Sequence, residues 1–115
     1  MIECRQAYFI RDGELLGCDS FRIAFINEGR SIYEVARITG QGILFLEDHL
    51  DRLFASLAME GIEPWLDRIE IRENLQELLD RNRAGEGNIK IVFNVRSEGI
   101  RHFLAYFVGH RYPSQ

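Results

Sequence analysis

Arg52 is the first candidate for chemistry, because a guanidinium can bind a phosphate or a carboxylate through two parallel hydrogen bonds. It lies on the polar side of a helical pattern whose apolar positions include Leu50 and Leu53. Asp48 precedes it by four residues, the spacing of a surface ion pair that would contribute only about 0.3–0.5 kcal/mol. His49, beside the apolar stripe, fits packing or capping better than proton transfer. By spacing alone, an ordinary ion pair is the simpler interpretation of Arg52.

A second set of candidates lies between Ile32 and Ile38, where strand-like residues predominate. Successive side chains of a strand point to opposite faces, so Tyr33, Val35 and Arg37 share one face. Glu34 lies on the other face among apolar residues. Because each face carries one charged residue, the spacing by itself predicts a half-buried strand and reveals no site.

The third candidate surface lies near the end of the chain, where alternation puts Lys90, Asn94 and Arg96 on one face of a predicted strand. The opposite face is apolar. Two cations and an amide could bind an anionic substrate group, although a face partly open to water has the same composition. Lys90 is the only lysine in the sequence, and a lone lysine on a sheet face is expected to be exposed.

Three hairpins are predicted to carry these side chains. The first spans Tyr8–Leu16 and turns at Asp12-Gly13, a strong hairpin signal because glycine tolerates a positive φ. The second runs from the 32–38 strand through the TGQG turn into an apolar arm over 43–46. The third joins Asn88–Arg96 to Arg101–Val108 through a short loop that contains glycine.

Two helices are predicted between the second and third hairpins. The first begins at Leu46, repeats apolar residues every three to four positions, and stops at Gly61. Pro64 breaks the chain, and Asp67 is placed to cap a second helix that ends in the segment over 81–87. Because the strands are joined by tight turns or by the helices, we predict an α+β fold with a mostly antiparallel sheet and two helices packed on one face.

The composition limits the chain to one domain over residues 1–115 and excludes several functions. A net charge of −4, spread along the sequence, does not form the basic surface needed for nucleic acid or an anionic membrane. No apolar window is long enough to cross a bilayer. Cys4 and Cys18 are too few for a metal quartet. We therefore expect reduced thiols in a cytoplasmic protein.

The segment over 31–62 resembles the small N-terminal domain of the fold-type IV pyridoxal-phosphate enzymes. This family includes branched-chain and D-amino-acid aminotransferases and aminodeoxychorismate lyase. The resemblance extends from the first hairpin to the last strand, and it is densest at IYEVARI and HLDRLFASLAMEGI. It implies that Arg52 binds the cofactor phosphate and that Tyr33, Val35 and Arg37 line the substrate side of the cleft. It also implies a carboxylate-binding arginine in the last hairpin, at Arg96 or Arg101.

The same resemblance implies an aminotransferase that moves an amino group from an amino acid to a 2-oxo acid, as a cytoplasmic homodimer. Two departures stand out. Glu28-Gly29-Arg30-Ser31 replaces the FGDG-like turn of D-amino-acid aminotransferases. The lysine that holds the cofactor covalently belongs to a C-terminal domain absent from this sequence, and Lys90 does not match its place. Pyridoxal 5'-phosphate is therefore expected only with that domain, and the chain alone is expected to be inactive.

Two alternatives stay open at this point. The chain could be a dimerisation or binding module that kept the fold and lost the chemistry, or one subunit of a two-chain lyase-like enzyme. The ending HRYPSQ is typical of an interdomain linker, because its proline interrupts the last strand pattern.

Overall fold

The computed structural model describes residues 3–109 and contains one six-stranded sheet. The strands are β1 (Arg5–Arg11), β2 (Glu14–Gly17), β3 (Arg30–Thr39), β4 (Gly42–Ile43), β5 (Gly87–Val95) and β6 (Arg101–Val108). The α-helices are α1 (Ala24–Asn27), α2 (Leu46–Met59) and α3 (Arg68–Asn82). The strand order is β2-β1-β6-β5-β3-β4, and every pairing among these strands is antiparallel.

Helices α2 and α3 pack on one face of this sheet and enclose the main hydrophobic core. The helices contribute Leu50, Leu53, Leu57, Ile71, Leu75 and Leu78, and the sheet contributes mainly Ile38, Ile89, Ile91, Phe93 and Phe103. Burying side chains of this size stabilises a fold by roughly 1.5–3 kcal/mol each. The predicted α+β class, with a mostly antiparallel sheet and both predicted helices on one face, is confirmed.

The ends of the elements follow local signals in the sequence. The first hairpin turns at Asp12 and Gly13, whose φ angles are 53° and 87°. At the start of α3 the Asp67 carboxylate accepts from the backbone N–H of Glu70, and the Glu70 carboxylate accepts from that of Asp67. This reciprocal pair is a capping box, so the predicted cap is confirmed.

The second hairpin is shorter than predicted. The arm expected over 43–46 is limited to Gly42 and Ile43, because Phe45 adopts a left-handed conformation with φ 55° and Leu46 already begins α2. β4 therefore pairs with β3 only at Ile38 and Thr39. Within the described residues, the outer side of β3 over 31–36 has no strand partner and forms a free edge.

The second face of the sheet, away from α2 and α3, is also largely covered. The segment over 18–27, for which no element was predicted, crosses this face and places Phe21 and Phe25 against Phe9. The ring centroid of Phe21 also lies 4.7 Å from that of Tyr106 on β6. The second face is thus a smaller core rather than a face open to water.

A disulfide joins Cys4 to Cys18 at the start of this covering segment. The expectation of reduced thiols is therefore wrong, because two cysteines 14 residues apart are brought together by the antiparallel return of β2 along β1. No helix within residues 3–109 has the length and apolar composition needed to span a membrane. The predicted linker at 110–115 lies outside the described residues.

Candidate functional site

Tyr33, Val35 and Arg37 lie together on the second face of β3, as their alternation predicted. Tyr33 is 43% exposed, Arg37 is exposed, and Val35 packs against the smaller core. A strand rises about 3.3 Å per residue, so Tyr33 and Arg37 are roughly 13 Å apart along β3. These side chains form a row that a small molecule could contact.

Lys90 lies beside this row and is buried, so the expectation of an exposed lysine is wrong. It is 5% exposed and stands opposite Val35 in the pairing of β3 with β5. Its Nζ is 3.1 Å from the Glu3 carboxylate and 4.3 Å from the centroid of the Tyr33 ring. A buried ammonium is stable only beside a compensating charge or dipole. Glu3 and Tyr33 provide both.

The two arginines of the last hairpin lie on different faces of the sheet. On the second face, Arg96 donates to the backbone oxygen of Ala24 at 2.8 Å and pairs with Glu28 at 3.0 Å. Arg101 lies on the helix side, with its guanidinium 4.7 Å from the Trp65 ring. Arg96 therefore holds the covering segment to β5, and its buried Nε has no partner within the described part of the chain.

Arg52 contacts Glu34 of β3 rather than Asp48 of its own helix. Its Nη2 donates to the Glu34 Oε1 at 3.1 Å, and the Nδ1 of His49 lies 2.7 Å from the same oxygen. The same Nδ1 lies 3.0 Å from the Arg52 Nη2, so Glu34, His49 and Arg52 form one polar cluster between β3 and α2.

This arrangement leaves most of the Arg52 guanidinium available. The side chain is 60% exposed, and within residues 3–109 its Nη1 and Nε atoms have no hydrogen-bond partner. Glu34 is only 17% exposed, so it fixes one edge of the guanidinium from the protein side. The other edge remains free to donate two hydrogen bonds to an anion from solvent.

A shallow cavity of about 270 Å³ lies beside Tyr33. It lies between the free edge of β3 and helix α2, and its lining is Ser31, Ile32, Tyr33, Ser56, Met59 and Glu60. Ser56 is one helical turn after Arg52, so the two side chains share a helix face. The bond from Arg52 to Glu34 places Arg52 at the same sheet edge as the neighbouring Tyr33, whereas Arg96 follows β5 and is engaged by Ala24 and Glu28.

The turn that precedes β3 is packed tightly against the end of β5. A Cβ atom on Gly29 would lie 2.4 Å from the Val95 carbonyl oxygen, and Gly29 has φ 75°. The buried Asn94 donates to the Glu28 carbonyl at 2.8 Å and to the Ser31 hydroxyl at 2.9 Å. These contacts set the start of the row that carries Tyr33.

The roles of Glu34 and Glu3 were not predicted from the sequence. Glu34 was recognisable as the one charged residue on the apolar face of a predicted strand. A charge on such a face needs a partner of opposite charge or a hydrogen-bond donor. Glu3 gave no signal, because its partner Lys90 is 87 residues away. No cluster of potential metal ligands occurs within residues 3–109.

Residues 31–114 match the family described as amino-transferase class IV. The chain is 40% identical over 62 residues to a D-alanine aminotransferase of Bacillus licheniformis. It is 33% identical over 61 residues to a D-alanine aminotransferase of Listeria monocytogenes serotype 1/2a. Each alignment covers 53% of this chain and about a fifth of the relative, 22% and 21% respectively.

Solved structures share the fold over a longer stretch. The branched-chain amino acid aminotransferase of Escherichia coli superposes on 91% of this chain with a TM-score of 0.76. A T.th. branched-chain amino acid aminotransferase, solved with pyridoxamine 5'-phosphate, superposes on 96% with a TM-score of 0.78. Both are 15% identical, and the matched parts are 41% and 42% of those chains. The chain thus spans less than half of the length of these proteins.

Proposed function

Since the chain belongs to the class IV aminotransferase family, we propose that it is the N-terminal domain of a pyridoxal-phosphate-dependent aminotransferase. The complete protein would transfer an amino group from an amino acid to a 2-oxo acid. The observation that carries this proposal is the partly exposed Arg52, oriented by Glu34 at the same sheet edge as Tyr33. The catalytic C-terminal domain would then lie outside residues 1–115.

Arg52 is the residue we assign to the cofactor phosphate. Its free edge offers two parallel N–H donors, which suit a phosphate better than a single ammonium would. The bond to Glu34 limits the rotation of the guanidinium before any ligand arrives. When bound, the cofactor would supply the electron sink that permits chemistry at the amino-acid α carbon.

Tyr33, Val35 and Arg37 are the residues we assign to the substrate side of the cleft. Tyr33 offers an exposed ring and hydroxyl, Val35 an apolar surface, and Arg37 an exposed cation for a carboxylate. Arg96 remains our weaker assignment to carboxylate binding, because it already pairs with Glu28 and Ala24. Release of Glu28 would be needed before Arg96 could bind substrate.

The chain alone is proposed to be inactive. Its only lysine, Lys90, is buried in an ion pair with Glu3 on a strand of the small domain. Covalent attachment of the cofactor requires an accessible amine, so the complete enzyme needs a lysine from another domain or another chain. We further propose a cytoplasmic homodimer, and in that compartment disulfides occur mainly as catalytic or redox-sensing bonds.

The first test is the intact mass of the protein in its own cells, detected with an antibody against this chain. A polypeptide of roughly twice this size supports the proposal, since one further domain of typical size would add about that length. A polypeptide of only this size contradicts it. In that case the same antibody would be used to isolate any second chain, because a two-chain enzyme predicts a separate catalytic subunit and a binding module does not.

A further inference from the structure

The carboxylate of Glu3 lies on the second face of the sheet and is held by two buried groups. Its Oε2 is 3.1 Å from the Nζ of Lys90 and accepts a hydrogen bond of 2.9 Å from the Tyr106 hydroxyl. The side chain of Glu3 is 18% exposed, and that of Lys90 is 6% exposed. Glu3 therefore supplies a counter-charge to the buried Lys90.

Within residues 3–109, regular strand pairing next to Glu3 is limited. β1 begins only at Arg5, and a register shift between Arg5 and Ile10 interrupts its pairing with β6. The neighbouring Cys4 is 2% exposed and is bonded to Cys18. Cys18 begins the segment that covers the second face with Phe21 and Phe25. One covalent bond thus joins the residue beside Glu3 to the cover of this face.

We propose that the Cys4–Cys18 disulfide is a redox latch that keeps the Glu3 carboxylate on Lys90 and Tyr106. Reduction would release Glu3 and open the surface between Lys90 and Tyr33. The latch depends on contacts within this chain alone. Its consequence, control of access to the substrate side of the cleft, rests on the function proposed above.

The chemistry of the latch is thiol–disulfide exchange with a dithiol reductant. A thiolate of the reductant attacks the sulfur of Cys18, which is partly exposed whereas Cys4 is buried. The Cys4–Cys18 bond breaks, the sulfur of Cys4 leaves and takes a proton, and a mixed disulfide forms at Cys18. The second thiol of the reductant then displaces Cys18. The protein gains two thiols and two electrons, and the reductant becomes a disulfide.

Acylation of Lys90 measures the state of the latch directly, because the sequence contains no other lysine. The 115-residue chain is treated with an amine-reactive ester with and without a dithiol, and Lys90 modification is followed by peptide mass analysis. A lysine-containing reference peptide in the same tube corrects for reagent loss. We expect reduction to raise the rate at Lys90 roughly tenfold or more, because a buried group reacts only through opening.

Two variants separate the disulfide from the carboxylate. The double variant Cys4→Ser, Cys18→Ser should show the fast rate without reductant, and Glu3→Gln should raise the rate while its disulfide remains intact. Equal Lys90 rates in the two redox states, with thiol titration showing that the bond has opened, would overturn the proposal. The detection of two free thiols under oxidising conditions would overturn it as well. So would an equal rate of Lys90 acylation in Glu3→Gln and in the parent chain. None of these readouts requires pyridoxal phosphate, so they are independent of the proposed enzyme activity.

Discussion

At the scale of single residues, the position of an arginine in the fold decides whether it can bind an anion. Arg52 and Arg72 are both exposed arginines on neighbouring helices. Arg72 is engaged through Nε and Nη2 by the carboxylate of Glu47. Arg52 is engaged by Glu34 through Nη2 alone. Of the two, Arg52 is the more accessible to an anion from solvent, because its side chain is 60% exposed against 42% for Arg72.

Substitution of Arg52 tests its assignment to the cofactor phosphate. In the complete protein, Arg52→Ala should weaken pyridoxal 5'-phosphate binding by roughly 100-fold or more, because the two charge-assisted hydrogen bonds that it would lose contribute about 1.5–3 kcal/mol each. The dissociation constant is measured by absorbance titration. Arg72→Ala is the matched control and should leave the constant unchanged. Equal constants for both variants would remove Arg52 from the phosphate site.

Gly29 gives a second prediction at this scale. Gly29→Ala should lower the free energy of unfolding by roughly 1–3 kcal/mol, because an alanine is strained at its positive φ and would press on the Val95 carbonyl oxygen. Urea denaturation followed by circular dichroism measures the loss. Gly40→Ala is the control, since a Cβ there meets no atom within 4 Å. A loss no larger than that of Gly40→Ala would show that the turn adapts.

At the scale of elements, α3 supports the irregular part of β1. Asn82, the last residue of α3, accepts from the backbone N–H groups of Ala7 and Tyr8 at 3.1 and 2.9 Å. Its amide nitrogen donates to the Tyr8 carbonyl at 3.1 Å. These bonds replace the ladder hydrogen bonds that the register shift removes between Arg5 and Ile10.

Replacement of Asn82 tests this support. Asn82→Ala should cost about 1–3 kcal/mol of unfolding free energy, because partly buried backbone groups lose their partners. Asn82→Asp keeps the acceptor for both N–H groups and should cost less. Gln76→Ala, on the exposed side of the same helix, is the control. If Asn82→Ala and Gln76→Ala have equal urea midpoints, α3 does not stabilise the part of β1 where the pairing with β6 is interrupted.

At the scale of the whole molecule, two exposed apolar side chains beside a free strand edge indicate where another surface belongs. Tyr33 and Met59 are 43% and 86% exposed and line the same cavity beside the free edge of β3. A free strand edge next to apolar side chains is a common site of association. We expect the 115-residue chain to self-associate at this edge.

The association is tested by sedimentation velocity over a range of concentrations. Met59→Asp should raise the dissociation constant roughly tenfold or more, because burial of such a side chain contributes about 1.5–3 kcal/mol. Ile69→Asp is the control, since Ile69 is 62% exposed on α3 and is not among the residues that line this cavity. A monomeric parent chain, or equal effects of both substitutions, would contradict the expectation.

Local sequence signals determined much of the fold. The Asp12-Gly13 turn, the start of α2 at Leu46 and the capping box of Asp67 with Glu70 depend on residues within a few positions of each other. The alternation over 32–38 correctly placed Tyr33, Val35 and Arg37 on one face. Such features are readable because backbone geometry and side-chain chemistry act over short separations.

The tertiary structure alone decided the partners of the charged side chains. Arg52 pairs with Glu34, 18 residues away, rather than with Asp48, and Lys90 is buried against Glu3, 87 residues away. The Cys4–Cys18 disulfide and the hydrogen bond from Arg96 to the Ala24 carbonyl likewise depend on how the strands and the segment over 18–27 pack together. A sequence pattern specifies the face on which a charge lies. The opposite charge with which it pairs is set by the packing of segments that are distant in the sequence. Such pairs form because a charge that is buried without a partner strongly destabilises the fold.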